Sequence, residues 1–188
     1  MKNLVIYSAL LLACSVSACR SKSKEAAKDV EFYPVGSFIN AEVLKLDTVP
    51  LAVLKKTTIN GKTDSAYISK VEFKNDAKAF LEPDITDPKL KKLYTETVFM
   101  DATLNMITLT YSPGENEAEV RKLDVLLDPD NNTLRRIYME KQKKNGDSVV
   151  TRKMMWNAGH SCQVISLTKV GSQPELVKLE KWVWDDRE

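Results

Sequence analysis

The sequence predicts an α+β fold in which two N-terminal helices and a β-hairpin precede a curved antiparallel β-meander of about seven strands. Apolar residues recur at helical spacing before residue 94 and alternate with a period of two after it. The later apolar segments are separated by short turns rich in Asn, Asp, Gly and Pro. Short turns favour antiparallel neighbours, because a parallel crossover needs a dozen or more residues.

Residues 1–18 are predicted to be a signal peptide. Lys2 precedes an apolar run from residue 4 to residue 13, and small residues follow up to Cys19. The run is too short for a stable membrane span and has the length of a secretory core. Residues 20–30 are small, polar and charged, which predicts a flexible tether that spans roughly 18 Å as a coil. Residues 31–188 are then expected to form a single globular domain.

The segment VSAC at residues 16–19 resembles the lipobox of bacterial lipoproteins. The resemblance implies cleavage before Cys19 and acylation of its thiol, so that residues 19–30 form a lipidated cysteine and tether. Two alternatives stay open. The segment LLAC places Cys14 after a small residue, although Leu12 stands where the family prefers a smaller side chain, and the leader also fits an ordinary secretory signal without lipid.

The same resemblance implies a place in the cell. Acylated Cys19 would make the lipid bilayer a partner of the protein, since acyl chains contribute about 0.8 kcal/mol for each buried methylene. Arg20 and Ser21 follow Cys19 where other lipoproteins carry an inner-membrane Asp or an acidic export signal. The family rules then imply the periplasmic face of an outer membrane.

The charge balance of the domain bears on its possible partners, and its cysteine content bears on disulfide bonding. Five of the 28 basic residues and two of the 26 acidic residues precede residue 31, so the domain carries 23 bases and 24 acids. This balance gives no reason to expect a nucleic-acid partner. If Cys14 is removed and Cys19 is acylated, Cys162 is alone in the mature chain, and no internal disulfide is expected.

The N-terminal half carries helix and turn signals in order. Pro34 suits the first turn of a helix over 33–49, which Pro50 ends. Asn60-Gly61 favours a two-residue hairpin turn between flanking strands. Ser69 and Glu72 form a capping box that starts a second helix, stopped at residue 83, and a further turn is expected over 87–93.

The C-terminal half is predicted as the meander, with Asn145-Gly146 closing a second two-residue hairpin. The predicted strands cover residues 95–100, 103–111, 119–127, 134–143, 148–156, 161–169 and 176–184.

Candidate catalytic and metal-binding residues have simpler explanations. His160, the one histidine in the chain, and Cys162 are two apart on a strand, but Cys-His pairs come from separate segments and need a third orienting group. Asp128, Asp130 and Asn132 match the opening of a calcium loop whose Gly and bidentate Glu are missing. A β-turn accounts for them, and no catalytic residue, cofactor or metal site is predicted.

Trp182 and Trp184 are the candidate ligand or partner face. They share one face of the last strand, and Val177, Leu179 and Val183 take the other. Core packing beneath a helix, supplied by residues such as Phe38, Ile39 and Val43, is the competing explanation.

The order of elements loosely resembles the periplasmic half-barrel lipoprotein carriers, which hold acyl chains between sheet and helices. The lipobox and the TTINGKTDS and FLEPDI segments are similar to those of small uncharacterised Bacteroidota lipoproteins. These resemblances imply a membrane-tethered, non-catalytic binding module for an apolar ligand or an envelope partner. The alternative is a hydrolase-type envelope enzyme with a site that no motif reveals.

Overall fold

The structure, a computed structural model, describes residues 31–114, 118–173 and 175–185. The predictions for the signal peptide, for Cys14 and Cys19, and for the tether concern residues outside these ranges. Within them, nine strands form one antiparallel sheet that is accompanied by few helices.

The sheet contains the predicted meander and the N-terminal hairpin as neighbours. The strands are β1 Val53–Ile59, β2 Lys62–Ile68, β3 Tyr94–Asp101, β4 Met106–Pro113, β5 Val120–Leu127, β6 Leu134–Asn145, β7 Ser148–Asn157, β8 Ser161–Val170 and β9 Leu176–Val183. Their spatial order is β2-β1-β9-β8-β7-β6-β5-β4-β3, so β2 and β3 are the edges. Strands β3 to β9 therefore follow the chain, and β1 pairs with β9 from Leu54 opposite Val183 to Ile59 opposite Lys178.

The helical segments are α1 Val35–Thr48, α2 Lys70–Ala77, a 3-10 turn Lys78–Phe80 and α3 Pro88–Lys91. The prediction places Pro34 in the first turn of a helix that begins at residue 33, whereas α1 begins at Val35 and Pro34 is its N-cap. The Ser69 hydroxyl accepts the Glu72 amide at 3.1 Å, as expected for a capped helix start.

The helices cover one face of the sheet, which we call the helix face. Helix α1 contributes side chains at helical spacing, and α2 contributes Phe73 and Ala77. The buried residues of α1 are Val35, Ile39, Val43 and Leu46. The sheet contributes buried residues in phase across its strands, among them Val125, Ile137, Trp156, Cys162 and Trp182. The other side, the open face, has no helix packed on it among the described residues.

The first predicted hairpin turn is confirmed and the second is wrong by one residue. Asn60 and Gly61 have φ of 49° and 80°, and they join Ile59 to its partner Lys62. In the second hairpin Asn145 pairs with Ser148, so the turn residues are Gly146 and Asp147. Only Gly146 needs a positive φ there, at 56°, so Asn145 remains in the strand.

Replacing Gly146 with valine is expected to lower the free energy of unfolding by about 1 kcal/mol or more. A β-branched side chain at φ of 56° is strained even though the space around Gly146 is open. Gly36→Ala is the matched control, because this glycine lies in α1 and an added methyl group meets only ordinary contact. That change should stabilise the protein by about 0.5–1 kcal/mol. Urea denaturation of both variants would contradict the prediction if they shifted stability in the same direction.

Candidate functional site

An open groove of about 790 Å³ lies at one end of the sheet. It is bounded by α1, the start of β6, the turn between β7 and β8, and the end of β9. Two antiparallel hairpins end here, so the turn residues project beyond the sheet and leave space beside α1. It is larger than three other cavities of the described part of the protein, which have volumes of about 10, 190 and 300 Å³.

Glu42 forms the wall of the groove on α1 and ties this helix to the sheet. One carboxylate oxygen accepts the Trp156 indole N–H at 2.8 Å, and the carboxylate also accepts the Gly159 amide at 3.0–3.1 Å. The β7–β8 turn is held from the other side as well, since the His160 carbonyl oxygen accepts the Trp184 and Asp185 amides. The wall of the groove is therefore fixed by hydrogen bonds to residues more than 100 positions away in the chain.

Basic side chains also line the groove, which reaches round the end of the sheet, since Arg136 and Lys181 lie on the open face and α1 lies on the helix face. Arg135 and Arg136 come from the start of β6, His160 from the β7–β8 turn, and Lys181 from β9. The Arg136 Nε donates to the Asn157 side-chain oxygen at 2.8 Å, which leaves the two terminal nitrogens of the guanidinium for other acceptors. Arginine recognises carboxylate and phosphate groups through such parallel donors.

The same groove has an apolar part. Phe38 of α1, Leu134, Ala158 and Val183 contribute carbon surface to its lining. A ligand that fits this arrangement has an apolar portion and an acidic group, because only such a molecule meets both kinds of surface.

A smaller cavity of about 190 Å³ lies on the other side of Glu42. Leu46, Val49, Leu51 and the Trp184 ring line it, and Glu42 and Gly159 line both spaces. The Glu42 carboxylate thus stands between the groove and this cavity.

The structure places both tryptophans of the candidate ligand face in the core beneath α2. Trp182 and Trp184 are 4% and 6% exposed. The Trp182 indole donates to Asp76 of α2 at 2.9 Å, and the Trp184 ring packs on Phe73 and Trp156 with ring centroids 5.2 and 5.4 Å apart. A ligand would reach Trp182 only after α2 had moved, whereas Trp184 already borders the small cavity.

His160 and Cys162 do not form a nucleophile–base pair. His160 is exposed in the β7–β8 turn, and Cys162 is buried on the helix face opposite Trp182. Burial raises the pKa of the Cys162 thiol well above its ordinary value, which disfavours the reactive thiolate.

Asp128 serves the turn between β5 and β6. Its carboxylate accepts the Asp130 amide at 3.0 Å and pairs with the Arg135 guanidinium. These contacts lower the pKa of Asp128, with Arg135 as the main cause. Asn132 adopts a φ of 55° in the same turn. The Asp128 side chain is thus used in turn contacts, and Asp130 and Asn132 contribute their backbone amides to the same turn.

Lys141 is a charged residue that sequence reasoning did not select. It lies on the helix face of β6 and is almost fully buried. Its ammonium donates to the carbonyl oxygens of Ala79, in the 3-10 turn after α2, and of Glu82, which follows that turn. Burial lowers the pKa of its ammonium to about 8, against the opposing attraction of Glu119 and Glu82, and Arg152 lowers it further. Lys141 thereby joins the second helical segment to the sheet.

The buried ammonium makes stability depend on pH. The pKa of Lys141 is about 8 in the folded protein and 10.5 without burial, so between these values the unfolded chain binds more protons. Stability from this group therefore rises with pH across that window. Relative to Lys141→Met, the free energy of unfolding of the unmodified protein should increase by roughly 1–2 kcal/mol from pH 7 to pH 10. Urea denaturation at four pH values measures this, and a difference that stays constant or falls with pH contradicts it.

The partial burial of Glu42 and the burial of Lys141 are only weakly indicated by the sequence pattern. Glu42 follows Ile39 by three residues and precedes Val43, so it lies at the margin of the apolar stripe of α1. Lys141 is in phase with Ile137 and Met139, both of which are buried. Each is a charged residue at a position where the pattern predicts burial.

Comparisons with protein-family models, with curated proteins and with solved structures give no match to this chain. Among the residues that the structure describes, none of the helices has the length and apolar character needed to cross a membrane. Over the same residues, no three His, Cys, Asp or Glu side chains are grouped so that they could hold a metal ion.

Proposed function

We propose that the protein is a membrane-tethered envelope lipoprotein that binds an amphipathic anionic ligand in the groove beside α1. The observation that carries this is the lining of the groove, which combines Phe38 and Val183 with Arg136 and Lys181. Apolar surface contributes about 25 cal/mol for each Å² buried, and the arginine supplies orientation through paired donors. An acidic lipid, or an acidic amphipathic segment of an envelope protein, has this chemistry.

The fold belongs with this proposal. We assign it to the α+β class, with the two N-terminal helices as a layer on a curved meander. The assignment is supported by the burial of Ile39 and Val43 of α1 and of Phe73 of α2 against the sheet. A layer of this kind gives the groove a helical wall that the sheet alone could not supply.

Binding explains the groove better than hydrolysis does. The cationic groups of the groove lie on turns and strand ends, and His160 is exposed there while Cys162 is buried on the helix face. Acyl-transfer chemistry needs a nucleophile within hydrogen-bond reach of a base. Two carboxylates line the groove, and one of them, Glu42, is already engaged with Trp156 and Gly159. The hydrolase-type alternative therefore has less support than the binding module.

The groove is tested with lauric acid and its uncharged glycerol monoester as probes, both below the concentration at which they form micelles. Titration calorimetry should show saturable binding of the acid and several-fold weaker binding of the ester, since an ion pair with an exposed arginine contributes up to about 1 kcal/mol. Arg136→Gln should remove the preference for the acid. Lys143→Gln is the control, because Lys143 is an exposed residue near the far end of β6.

Equal affinity of the acid for the unmodified protein and for Arg136→Gln would refute the proposed site. The acid and the ester could instead bind equally well, with Phe38→Ser removing the binding of both. This result would assign the groove to an uncharged apolar ligand.

The anchor is a separate part of the proposal. We expect acylation at Cys19, which would place the protein on the periplasmic face of an outer membrane. Intact-mass measurement of membrane-extracted protein should show a lipid that Cys19→Ser loses and Cys14→Ser retains. The opposite pattern would assign the lipid to Cys14, and a chain without lipid in every variant would indicate an ordinary secretory signal.

A further inference from the structure

The end of the β3–β4 hairpin exposes large apolar side chains on both of its faces. Val98, Phe99 and Met100 are 61%, 64% and 58% exposed, and Leu104 in the turn is 68% exposed. Strand alternation places Val98 and Met100 on the helix face and Phe99 on the open face. Ile107 and Leu109, the partners of Met100 and Val98, extend the apolar surface of the helix face onto β4.

Charge is almost absent from this hairpin end. Residues 97–108 read TVFMDATLNMIT, in which Asp101 is the one charged residue. Its carboxylate accepts the Thr103 and Leu104 amides at 2.9 and 3.1 Å, so it closes the turn. The other edge hairpin is different, since Lys56, Lys62 and Asp64 surround the turn between β1 and β2. Charged residues normally protect exposed sheet edges, and over this stretch β3 has only Asp101, its last residue.

We propose that the end of the β3–β4 hairpin inserts into the lipid bilayer. A protein partner with one flat surface could cover Val98 and Met100 or Phe99, but not both faces of the hairpin at once. A fluid apolar medium surrounds all of them. Insertion to the boundary of head groups and acyl chains is sufficient, and at that depth the unpaired backbone groups of the edge strand β3 still reach water.

The start of the described chain supports this occupant. Phe32 packs on Tyr111 of β4 with ring centroids 4.7 Å apart, and the Tyr33 amide donates to the Tyr111 hydroxyl. Met106 lies at the end of the hairpin, and Tyr111 is five residues further along β4, which is a distance of about 17 Å. Eleven residues separate Cys19 from residue 31, and they can extend to at most about 40 Å. This inference therefore rests on the proposed anchor, which would hold the hairpin end within reach of the bilayer.

The sheet topology adds a second argument. Because neighbouring strands alternate in direction, the β3–β4 turn lies at the same end of the sheet as the β5–β6 and β7–β8 turns that border the groove. The turns β1–β2 and β6–β7 lie at the opposite end. Insertion of the hairpin would direct the groove toward the bilayer surface, where acidic amphiphiles are present.

The experiment uses the acylated full chain in vesicles of phosphatidylethanolamine and phosphatidylglycerol. An environment-sensitive fluorophore is attached at Ala102→Cys in the β3–β4 turn, or at Lys62→Cys beside the turn at the opposite end of the sheet. Cys162 is buried and does not compete for the label. The probe at 102 should shift to shorter wavelength and be quenched by lipid-attached nitroxide, and the probe at 62 should do neither.

A polar hairpin end is the matched variant. The combined changes Val98→Thr, Phe99→Thr, Met100→Thr and Leu104→Asn preserve strand propensity and should abolish the shift and the quenching at 102. Phe99→Thr alone, which should reduce both, serves if the fourfold variant does not fold. An unquenched probe at 102 in acylated, vesicle-bound protein would overturn the proposal. The probe at 102 could instead shift without being quenched, and lose that shift when the protein is diluted in lipid. This result would mean that a second copy of the protein covers the hairpin end.

Failure of the anchor is distinguishable from failure of insertion. Intact mass reports acylation before the vesicles are made, and the calorimetric titration of the groove needs no bilayer. An acylated protein that binds the anionic probe without inserting residue 102 would keep the proposed function and reject this inference alone.

Discussion

Replacing Trp156 with alanine is expected to lower the free energy of unfolding by about 3–5 kcal/mol. The Trp156 ring is fully buried at the centre of the helix face, where it contacts Phe80 edge-on at 5.2 Å and Trp184 at 5.4 Å. Truncation leaves a cavity between the sheet and the second helical segment, and it also leaves the Glu42 carboxylate without its indole donor. The core between the helices and the sheet would lose the largest of its fully buried side chains.

Tyr67→Ala is the control for this measurement, because it removes an aromatic ring that is 75% exposed on the edge strand β2. That change should cost about 0.5 kcal/mol or less. Urea denaturation followed by far-UV circular dichroism compares the two. A cost below about 1 kcal/mol for Trp156→Ala would mean that the helices are not packed on the sheet as the structure shows.

Features set by local sequence were predictable. The strands β3 to β9 occur where the period of two and the turn residues placed them, because alternation and breaking residues act over a few positions. The Asn60-Gly61 turn was correct for the same reason. Gly146 was identified as a turn residue, but its place within the turn depends on whether Asn145 remains paired, and here it pairs with Ser148.

Features set by distant residues were not predictable in the same way. The pairing of β1 with β9 joins segments more than 100 residues apart, and no local pattern specifies it. The groove depends on how α1 crosses the end of the sheet, so its residues come from four separate elements. Arg135 and Arg136 were visible in the sequence as basic strand residues, yet nothing there associated them with Phe38.

The burial of Trp182 also depends on a distant part of the chain and could not be predicted from local sequence. Strand alternation correctly put Trp182 and Trp184 on one face, opposite Val183. Whether that face was open or covered depended on α2, whose Asp76 accepts the Trp182 indole. A tryptophan with a polar partner on a helix packs as well in a core as in a binding surface, and the sequence contains both explanations.

Replacing Glu42 with alanine is expected to lower the free energy of unfolding by about 3 kcal/mol. The carboxylate accepts the Trp156 indole N–H and the Gly159 amide, and hydrogen bonds to a charged group contribute about 1.5–3 kcal/mol each. Gly159 is exposed and regains a partner from water, whereas the Trp156 indole is buried and loses its acceptor. The indole therefore accounts for most of the expected loss.

A double-mutant cycle isolates this contact. Glu42→Ala and Trp156→Phe should cost less together than the sum of their separate costs, because each removes one side of the same hydrogen bond. Asn40→Ala, an exposed change on the same helix, should shift stability by about 0.5 kcal/mol or less. Additive costs in the cycle would contradict the contact.

The groove would respond as well, since Glu42 is the wall that separates it from the smaller cavity beside Trp184. If the stabilities behave as expected, Glu42→Ala should also weaken the binding of lauric acid and of its ester alike, because α1, which supplies Phe38, would no longer be fixed to the β7–β8 turn.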